Sequence, residues 1–417
     1  MSVSALVLAA VVLADAEPLP WRHTLFVQFQ GASLTWVPSP DDENAALGRS
    51  FLAKFEGTEL PPYDGDAMDR AAVLEAVRAH LAGVGVRVVD ERPQPWVPYT
   101  MAVVGGQWDD TAVTSVVRGS APNVDCERFN PRHIVFAFVG SDEPTVQQAT
   151  TVSQEAGHAW GLDHVLGEGL VMSYDFAALV SGFSDGCAPL CEEACQGPGS
   201  VHCQDVHAQF CGAGMQDSVA ELMHTFGSDE PDGQPPSVEF LAPADGAVLA
   251  PGSDLEVSVV VTDNYGGVGW HFMLLRDGVE VAAQTAFDRE TLWPLATLPE
   301  GSYEVRVIAE DHADNVTTAA VFIEVGELAA STGEPAADGG SGSDDGDKTT
   351  STGDDAATST GATTGDSAAT DAGNDGCACT LHPRQAPQPT PGALALLSLL
   401  LLVTPRAPRG QKRQERS

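Results

Sequence analysis

The chain has 417 residues and a net charge of −39, from 59 acidic and 20 basic residues. Its length is sufficient for two or three domains. The acidic excess argues against nucleic acid as a partner, because binding to phosphates requires a basic surface. It favours a soluble surface protein whose copies repel one another, and a halotolerant or simply acidic secreted protein explains the composition equally well.

An export signal is predicted at the amino terminus. Residues 5–13 are apolar and end at Ala14-Asp15-Ala16, a small-residue pattern typical of signal-peptide cleavage sites. We therefore assign residues 1–16 to a signal peptide. Everything that follows is expected to fold outside the reducing cytoplasm, where cysteines form disulfides.

Six of the eight cysteines lie between Cys126 and Cys211. In an exported protein they predict up to three disulfides, whose connectivity the sequence leaves open. The alternative is a second metal site, formed by four of these cysteines with a histidine. Its members would be Cys187, Cys191, Cys195 and Cys203, with His202 or His207. That cysteine spacing is not usual in zinc fingers, so disulfides are the preferred interpretation.

Strands and one helix alternate in the first part of the chain. The helix is predicted over residues 66–81, with Asp66 as its N-cap and Asp69 three residues later. Apolar and alternating runs predict the strands, and Gly31 predicts a hairpin within the first of them. In order, the other elements are a strand and hairpin over 23–37, strands over 84–89 and 99–104, a long loop over 105–130 and a buried strand over 133–139.

A second helix, predicted from Asp142 onward, carries the residues of a candidate metal site. Gln154 and His158 are four residues apart and therefore lie on one face of a helix. Gly161 lets the chain turn out of the helix, so that His164 returns towards His158. This arrangement predicts a zinc site. Glu155 is placed to act as the general base for a water that the metal activates.

Residues 154–164, Gln-Glu-Ala-Gly-His-Ala-Trp-Gly-Leu-Asp-His, are followed by Val171-Met172-Ser173-Tyr174. Both segments resemble the metzincin metallopeptidases, whose pattern is H-E-x-x-H-x-x-G-x-x-H followed by a Met-turn. The resemblance implies an α+β peptidase domain over residues 17–227, a mixed twisted sheet with an active-site helix. It implies Zn²⁺ held by His158, His164 and Gln154, and Glu155 as a catalytic residue. Met172 would form the apolar floor of the site, and Tyr174 would bind the metal or support the oxyanion.

One position departs from that pattern, because Gln154 replaces the first histidine. An amide oxygen is a harder and weaker zinc ligand than an imidazole nitrogen. Three outcomes remain open. Gln154 binds zinc weakly and leaves a slow peptidase, Tyr174 or a water takes the position, or the site holds no metal. In the last case the domain is a pseudoprotease that acts in cell-surface binding or adhesion.

The next part of the chain predicts the end of this domain and a second domain. A cysteine-rich insertion spans residues 187–211, a helix over 216–226 ends at Gly227, and residues 228–236 form a linker. Residues 237–325 contain short apolar runs separated by turns, and they resemble bacterial immunoglobulin-like modules, which are all-β sandwiches. Asp263, Asp311 and Asn315 are interpreted as turn-forming residues, with a calcium site as the alternative.

The remaining residues predict a stalk and an anchor. Residues 326–376 are rich in Ser, Thr, Gly, Asp and Ala, and a segment of that composition is expected to be disordered. Residues 377–417 combine Cys377 and Cys379 with an apolar run and a basic end, and they resemble myxobacterial C-terminal sorting signals. The run over 393–403 is short for a membrane span, which needs ~17–25 residues. A processed or lipid-linked tail and a membrane span therefore remain open.

These features together predict an exported, surface-anchored zinc endopeptidase. Its partners are expected to be a protein or peptide substrate and, through the C-terminal segment, the membrane.

Overall fold

The computed structural model describes residues 19–126, 129–174, 180, 182–191, 201–287, 291–295, 297–326 and 377–380. The expected signal peptide, the expected stalk and the apolar run of the tail lie outside these residues, as does the middle of the cysteine-rich insertion. Among the described residues, no helix is both long and apolar enough to cross a lipid bilayer.

The strands of the first domain are β1 (His23–Gln28), β2 (Ala32–Trp36), β3 (Arg49–Ser50), β4 (Thr58–Leu60), β5 (Val86–Val89), β6 (Thr100–Val104), β7 (Val117–Ala121), β8 (Ile134–Ala137), β9 (Ala188–Pro189) and β10 (Met215–Gln216). Its helices are α1 (Ala67–His80), α2 (Thr145–Ala159), α3 (Gln204–Cys211) and α4 (Ser218–Phe226). A short strand near the carboxyl terminus, β19 (Cys377–Thr380), also belongs to this domain.

A mixed sheet in the order β19-β7-β8-β6-β1-β5 forms the centre of the first domain. Four neighbouring strands, β5, β1, β6 and β8, run parallel to one another. Strand β7 is antiparallel to β8, and β19 is antiparallel to β7. The expectation of a loop throughout residues 105–130 is therefore wrong. The sequence of β7, Val-Arg-Gly-Ser-Ala, does not alternate between apolar and polar residues, and glycine is depleted in strands.

The expected hairpin over residues 23–37 does not form, since β1 and β2 belong to different sheets. Gly31 adopts a positive φ of 77°, and the chain leaves the central sheet there. Strand β2 pairs instead with β3 and β4 in a three-stranded sheet. Leu34 and Leu60 of that sheet pack with Phe26 and Phe136, on one face of the central sheet.

Helices α1 and α2 cover the other face of the central sheet. The capping box predicted for α1 is present, with the Asp66 side chain accepting from the backbone N–H of Asp69 and the Asp69 side chain accepting from Asp66. Helix α2 follows Pro144, and every residue from Gln148 to Ala159 is buried. The polar side chains of this part of α2 therefore lie in the protein interior, where each requires a hydrogen-bond partner or a ligand.

The cysteine-rich insertion is held by disulfides. Cys126 pairs with Cys203, Cys187 pairs with Cys211, and Cys191 is also in a disulfide. The expectation of disulfides inside the first domain is confirmed for these residues. The alternative metal site fails, because the sulfurs of Cys187, Cys191 and Cys203 are oxidised rather than present as thiolates.

The second domain is a sandwich of two sheets. Its strands are β11 (Ser237–Ala242), β12 (Ala247–Leu249), β13 (Leu255–Thr262), β14 (Gly269–Arg276), β15 (Val279–Phe287), β16 (Leu292–Leu295), β17 (Gly301–Glu310) and β18 (Val316–Val325). One sheet has the order β11-β13-β16 and the other β12-β18-β17-β14-β15. Val257 and Trp293 of the first sheet pack against Trp270 and Val305 of the second. The all-β sandwich predicted over residues 237–325 is therefore present.

An interface that the sequence did not predict joins the two domains. The backbone of Arg22 donates to Gly266 O (3.1 Å), and Gly266 donates to Pro20 O (3.0 Å). Trp96 donates from Nε1 to a carboxylate oxygen of Glu310 (3.0 Å). Residues 228–236 are thus not the only connection between the domains.

Candidate metal centre

The end of α2 places two histidines against each other. The helix ends at Ala159, and Gly161 takes a φ of 94°, a conformation that glycine adopts without strain. Its backbone also approaches Asp125 so closely that a Cβ would lie 3.0 Å from Asp125 O. The turn brings His164 back to His158, with the ring centroids 4.4 Å apart.

Both imidazole rings have their Nδ1 atoms bonded to backbone carbonyls. His158 Nδ1 donates to Leu162 O (2.7 Å) and His164 Nδ1 donates to Met172 O (3.3 Å). A carbonyl only accepts, so Nδ1 carries the proton and Nε2 carries a lone pair. Both Nε2 atoms are buried, and neither has a hydrogen-bond partner among the residues that the structure describes. This tautomer, fixed through Nδ1, is the one in which histidine binds a metal through Nε2.

Burial keeps both rings neutral. It lowers the pKa of His158 to about 4, against a partial opposing contribution from the hydrogen bond to Leu162. Burial and the neighbouring His158 hold the pKa of His164 well below its usual range. A neutral imidazole is the form that binds a metal, so both residues are in that form at neutral pH.

Gln154 lies on the same helix but uses its amide differently. Its Nε2 donates to Val171 O (2.9 Å) and to Ser173 O (3.2 Å), on either side of Met172. An amide binds a metal through its carbonyl oxygen, which in Gln154 is Oε1. Met172 itself is 1 % exposed, and a Cβ on Gly157 would lie 2.7 Å from its sulfur. Gly157 therefore allows Met172 to pack directly beneath the helix.

Glu155 and Tyr174 complete the predicted set. Glu155 is fully buried beside β7, where a Cβ on Gly119 would lie 2.7 Å from Glu155 Cγ. The ring of Tyr174 lies 4.0 Å from the ring of His164, centroid to centroid. The structure thus brings His158, His164 and Tyr174 together and connects Gln154 to the backbone on either side of Met172, whereas Glu155 lies against Gly119 of β7.

A cluster of charged groups behind His164 was missed by sequence reasoning. Asp163 Oδ2 accepts from His207 Nε2 (3.1 Å) and from the backbone N–H of Cys203 (2.8 Å), and Oδ1 bonds to His202 Nδ1 (3.1 Å). Burial opposes ionisation of Asp163, but the hydrogen bonds from His202, His207 and Cys203 outweigh it and hold its pKa well below its usual range. His207 is 44 residues away in sequence, and no local pattern links the two residues.

His207 is held as a cation in this cluster. Its Nδ1 bonds to Glu221 Oε2 (2.8 Å), so the ring lies between two carboxylates. Burial disfavours the charged ring, yet the bonds to Asp163 and Glu221 raise the pKa of His207 to about 9. Through this cluster, α3 and α4 fix the loop that carries His164.

A second missed cluster lies on the other side of α2. His133 Nδ1 bonds to Glu43 Oε2 (3.0 Å) and its Nε2 bonds to Asp125 Oδ2 (3.2 Å), with all three residues buried. Burial disfavours the charged ring, but the two carboxylates raise the pKa of His133 to about 9. The backbone N–H of Asp125 donates to His158 O (3.2 Å), so this cluster supports the end of α2.

Comparison with known protein families identifies a family for the second domain only. Residues 236–307 match the family described as Bacterial Ig domain, so this region is a bacterial Ig-like domain. No curated protein matches the chain in sequence.

Three solved structures each resemble about a quarter of the chain. The fibronectin(III)-like modules of CbhA from Clostridium thermocellum are 25% identical, with a TM-score of 0.19, and cover 22% of this chain and 47% of that chain. CopC from Methylosinus trichosporium OB3b is 13% identical, with a TM-score of 0.18, and the match covers 22% of this chain and 97% of CopC. The endo-beta-1,4-mannanase from Thermotoga petrophila is 16% identical, with a TM-score of 0.17, and the match covers 26% of this chain and 23% of the mannanase. The chain spans less than half of the first of these, and none carries an argument about function.

Proposed function

We propose that the first domain is a metzincin-like zinc endopeptidase with a weakened metal site. The observation that carries this proposal is the pair of buried Nε2 lone pairs on His158 and His164, fixed by backbone carbonyls on the opposite ring nitrogen. An unpaired polar atom in a protein interior costs free energy unless a ligand satisfies it. Two such atoms on adjacent rings can both be satisfied by one metal ion.

The donor set fits zinc. His158 and His164 would hold the metal through nitrogen, and Gln154 would offer its amide oxygen as a weaker ligand. Zinc, when bound, supplies a Lewis acid and lowers the pKa of a water molecule towards ~7. Glu155 would accept a proton at its carboxylate, and Met172 would form the apolar floor of the site. Tyr174, beside His164, is placed to bind the metal or to donate to a developing oxyanion.

The edge of the central sheet supports a peptide as the substrate. β7 borders Glu155, since Gly119 lies directly against that side chain. β7 also pairs antiparallel with β19, a segment of the same chain. An edge that takes up an extended segment by main-chain hydrogen bonds is a common mode of peptide recognition. A substrate in that position would have to displace β19, and it would then lie along β7 with its backbone next to Glu155.

Gln154 sets the expected strength of the site. Structural zinc sites with four protein ligands are worth ~10–16 kcal/mol, so one good ligand is worth about 3 kcal/mol. Replacing histidine with an amide that is already bonded to two carbonyls is expected to lose much of that contribution. We therefore expect zinc affinity roughly 100-fold below that of a three-histidine site.

Metal content and peptide cleavage test this proposal on the full exported chain. Zinc per chain is measured by mass spectrometry after desalting, zinc affinity by chelator competition, and cleavage with a quenched peptide library. Gln154→His should raise zinc affinity roughly 100-fold. His158→Gln should abolish zinc binding, and Glu155→Ala should keep zinc but lose cleavage. His224→Gln, at an exposed histidine of the same domain, is the matched control and should change neither quantity.

A second candidate function is a pseudoprotease that binds partners at the cell surface. The observation that favours it is the anchoring of the Gln154 amide to Val171 and Ser173, which supports the fold without a metal. The same experiment separates the two functions. A wild type without zinc or cleavage, beside a Gln154→His variant with both, would establish the pseudoprotease. A zinc-loaded Gln154→His variant that cleaves nothing would contradict the peptidase mechanism.

We also propose that the chain is exported and held at the cell surface by its C-terminal segment. Support comes from the disulfides, which form in oxidising compartments, and from the tail composition. Protease shaving of intact cells should release the two domains, and a chain truncated after residue 380, which keeps β19, should appear in the medium. Retention of the truncated chain on cells would contradict this localisation.

A further inference from the structure

Three aspartates from three segments meet where the second domain joins the inter-domain segment, which is the linker of residues 228–236. Asp232 comes from the segment before β11, Asp263 follows β13, and Asp311 follows β17. One carboxylate oxygen of each lies within 4.8 Å of the other two. Asp232 and Asp263 are half-buried and Asp311 is 4 % exposed. Among the described residues, none of the three forms an ion pair with lysine or arginine, so their negative charges are not balanced by protein cations.

Two side chains in this cluster have buried oxygen atoms without partners. Both carboxylate oxygens of Asp263 are inaccessible to solvent and accept no hydrogen bond from the described residues. Asn264 donates from Nδ2 to Asp232 Oδ1 (3.2 Å), while its own Oδ1 is also buried without a partner. Buried polar atoms are normally satisfied, and orphaned ones require an explanation such as a bound ion. All the orphaned atoms here are oxygen acceptors, which is the arrangement that a cation would satisfy.

The role of a turn residue explains Asp311 but not Asp263. Asp311 Oδ1 accepts from the backbone N–H groups of Ala313 (2.8 Å) and Asn315 (2.9 Å), as an aspartate does when it stabilises a turn. The backbone amides of Asn264 and Tyr265 oppose the rise in the pKa of Asp263, but their N–H groups are not aligned well enough to satisfy either carboxylate oxygen. Burial and then repulsion from Asp311 and Asp232 raise the pKa of Asp263. Without a cation, Asp263 is therefore in an unfavourable environment.

We propose that Asp232, Asp263 and Asp311 form a calcium site that fixes the inter-domain segment to the Ig-like domain. Calcium binds oxygen ligands in sets of six to eight, with carboxylates, amide carbonyls and waters as the usual donors. The site contains no nitrogen or sulfur donor among its members, which argues against zinc. This proposal does not depend on the zinc site, whose residues lie in the first domain.

Asn315 connects the members of the site. Its Nδ2 donates to Asp311 Oδ2 (2.8 Å) and to the backbone oxygen of Asp232 (3.3 Å). The segment around Asp232 is therefore already in contact with the β17–β18 turn before a cation binds. A calcium ion in this position would replace weak contacts across the boundary by direct bonds to both sides.

Calcium titration of the full chain tests the site. After removal of metals, the chain is titrated with CaCl2 by calorimetry in buffer with 0.15 M NaCl and an excess of Mg²⁺, which suppresses diffuse binding to the acidic surface. We expect one calcium per chain, with a dissociation constant on the order of 10⁻⁴–10⁻³ M, as in extracellular calcium modules. Asp263→Asn should weaken binding at least tenfold. His158→Gln should bind calcium as the wild type does, so failure of the zinc proposal is distinguished from failure of this one.

The matched control is Asp277→Asn, in the exposed turn between β14 and β15, which makes the same change of charge. It should leave calcium affinity unchanged. In the absence of calcium, Asp263→Asn should melt at or above the wild-type temperature, because it relieves repulsion, and calcium should raise the melting temperature of the wild type only. Calcium binding that Asp263→Asn and Asp277→Asn weaken equally would overturn the proposal. So would a wild type that binds no calcium, or a metal-free Asp263→Asn that melts well below the wild type.

Discussion

Replacing His133 with glutamine tests whether the buried cluster beneath α2 is an ion pair. His133→Gln keeps a polar side chain but removes the positive charge between Glu43 and Asp125. Removing one partner of a buried ion pair costs about 3–5 kcal/mol, because the remaining charges stay buried without compensation. Glu43 keeps its hydrogen bonds from Ser50, Phe51 and Ile134, so the loss should come from the missing charge.

The pH dependence provides the sharper measurement. The pKa of His133 is about 9 in the folded chain and about 6.5 when unfolded. The stabilisation by protonated His133 is therefore complete below pH 6.5 and is lost as the pH rises through 9. A shift of this size is worth about 3 kcal/mol. The difference in unfolding free energy between wild type and His133→Gln should be largest at pH 6 and shrink by about that amount at pH 9.5.

Denaturant unfolding of the full chain, followed by tryptophan fluorescence at both pH values, gives this difference directly. His224→Gln serves as the control, because His224 is exposed and its substitution should change little at either pH. Other titrating residues, His207 among them, contribute to both chains and cancel in the difference. A difference that stays constant between pH 6 and pH 9.5 would refute the reasoning, as would a loss below about 1 kcal/mol at pH 6.

Three further predictions concern the site and its surroundings. Asp163→Asn removes the charge that His202 and His207 bind, so zinc affinity measured by chelator competition should fall about 10–100-fold; an unchanged affinity would show that this cluster does not orient His164. Gly119→Ala places a methyl group against Glu155 and should reduce peptide cleavage at least tenfold, with little change in melting temperature. Gly233→Ala is the control: its methyl group meets nothing within 4 Å, so cleavage and melting temperature should both stay unchanged. Burial lowers the pKa of His312 to about 3, so its contribution to stability is present above pH 6.5 and falls by about 2 kcal/mol on acidification to pH 5. His312→Asn should flatten that acid limb in thermal melts, and an unchanged slope would contradict the assignment.

Local patterns in the sequence predicted the parts of the fold that depend on local contacts. The capping box of α1 needs only Asp66 and Asp69, three residues apart, and it is present as predicted. The meeting of His158 and His164 depends on a helix and a single turn at Gly161, and their spacing was sufficient to predict it. The β14–β15 turn is also locally determined, since Asp277 and Gly278 both have positive φ, as a type I′ hairpin turn requires.

Features that depend on distant contacts were not predictable in this way. β7 contains Gly119 and does not alternate, so only its pairing with β8 and β19 identifies it as a strand. The partners of Asp163 are His202 and Cys203, directly before α3, and His207 within it, about forty residues further along the chain. A single sequence carries no signal for such pairs, because each residue alone resembles an ordinary surface aspartate or histidine.

The domain boundary has a consequence for how the chain unfolds. Thr24, on an interior strand of the central sheet, is hydrogen-bonded through Oγ1 to His312 Nδ1 of the second domain (2.8 Å). Its neighbour His23 stacks on Phe226 and lies 5.7 Å from the His312 ring, so residues of both domains share one buried cluster. Heat should therefore melt both domains together, in one calorimetric transition. A fragment that ends before residue 237 would lose this shared cluster and expose His23 and Thr24 to water.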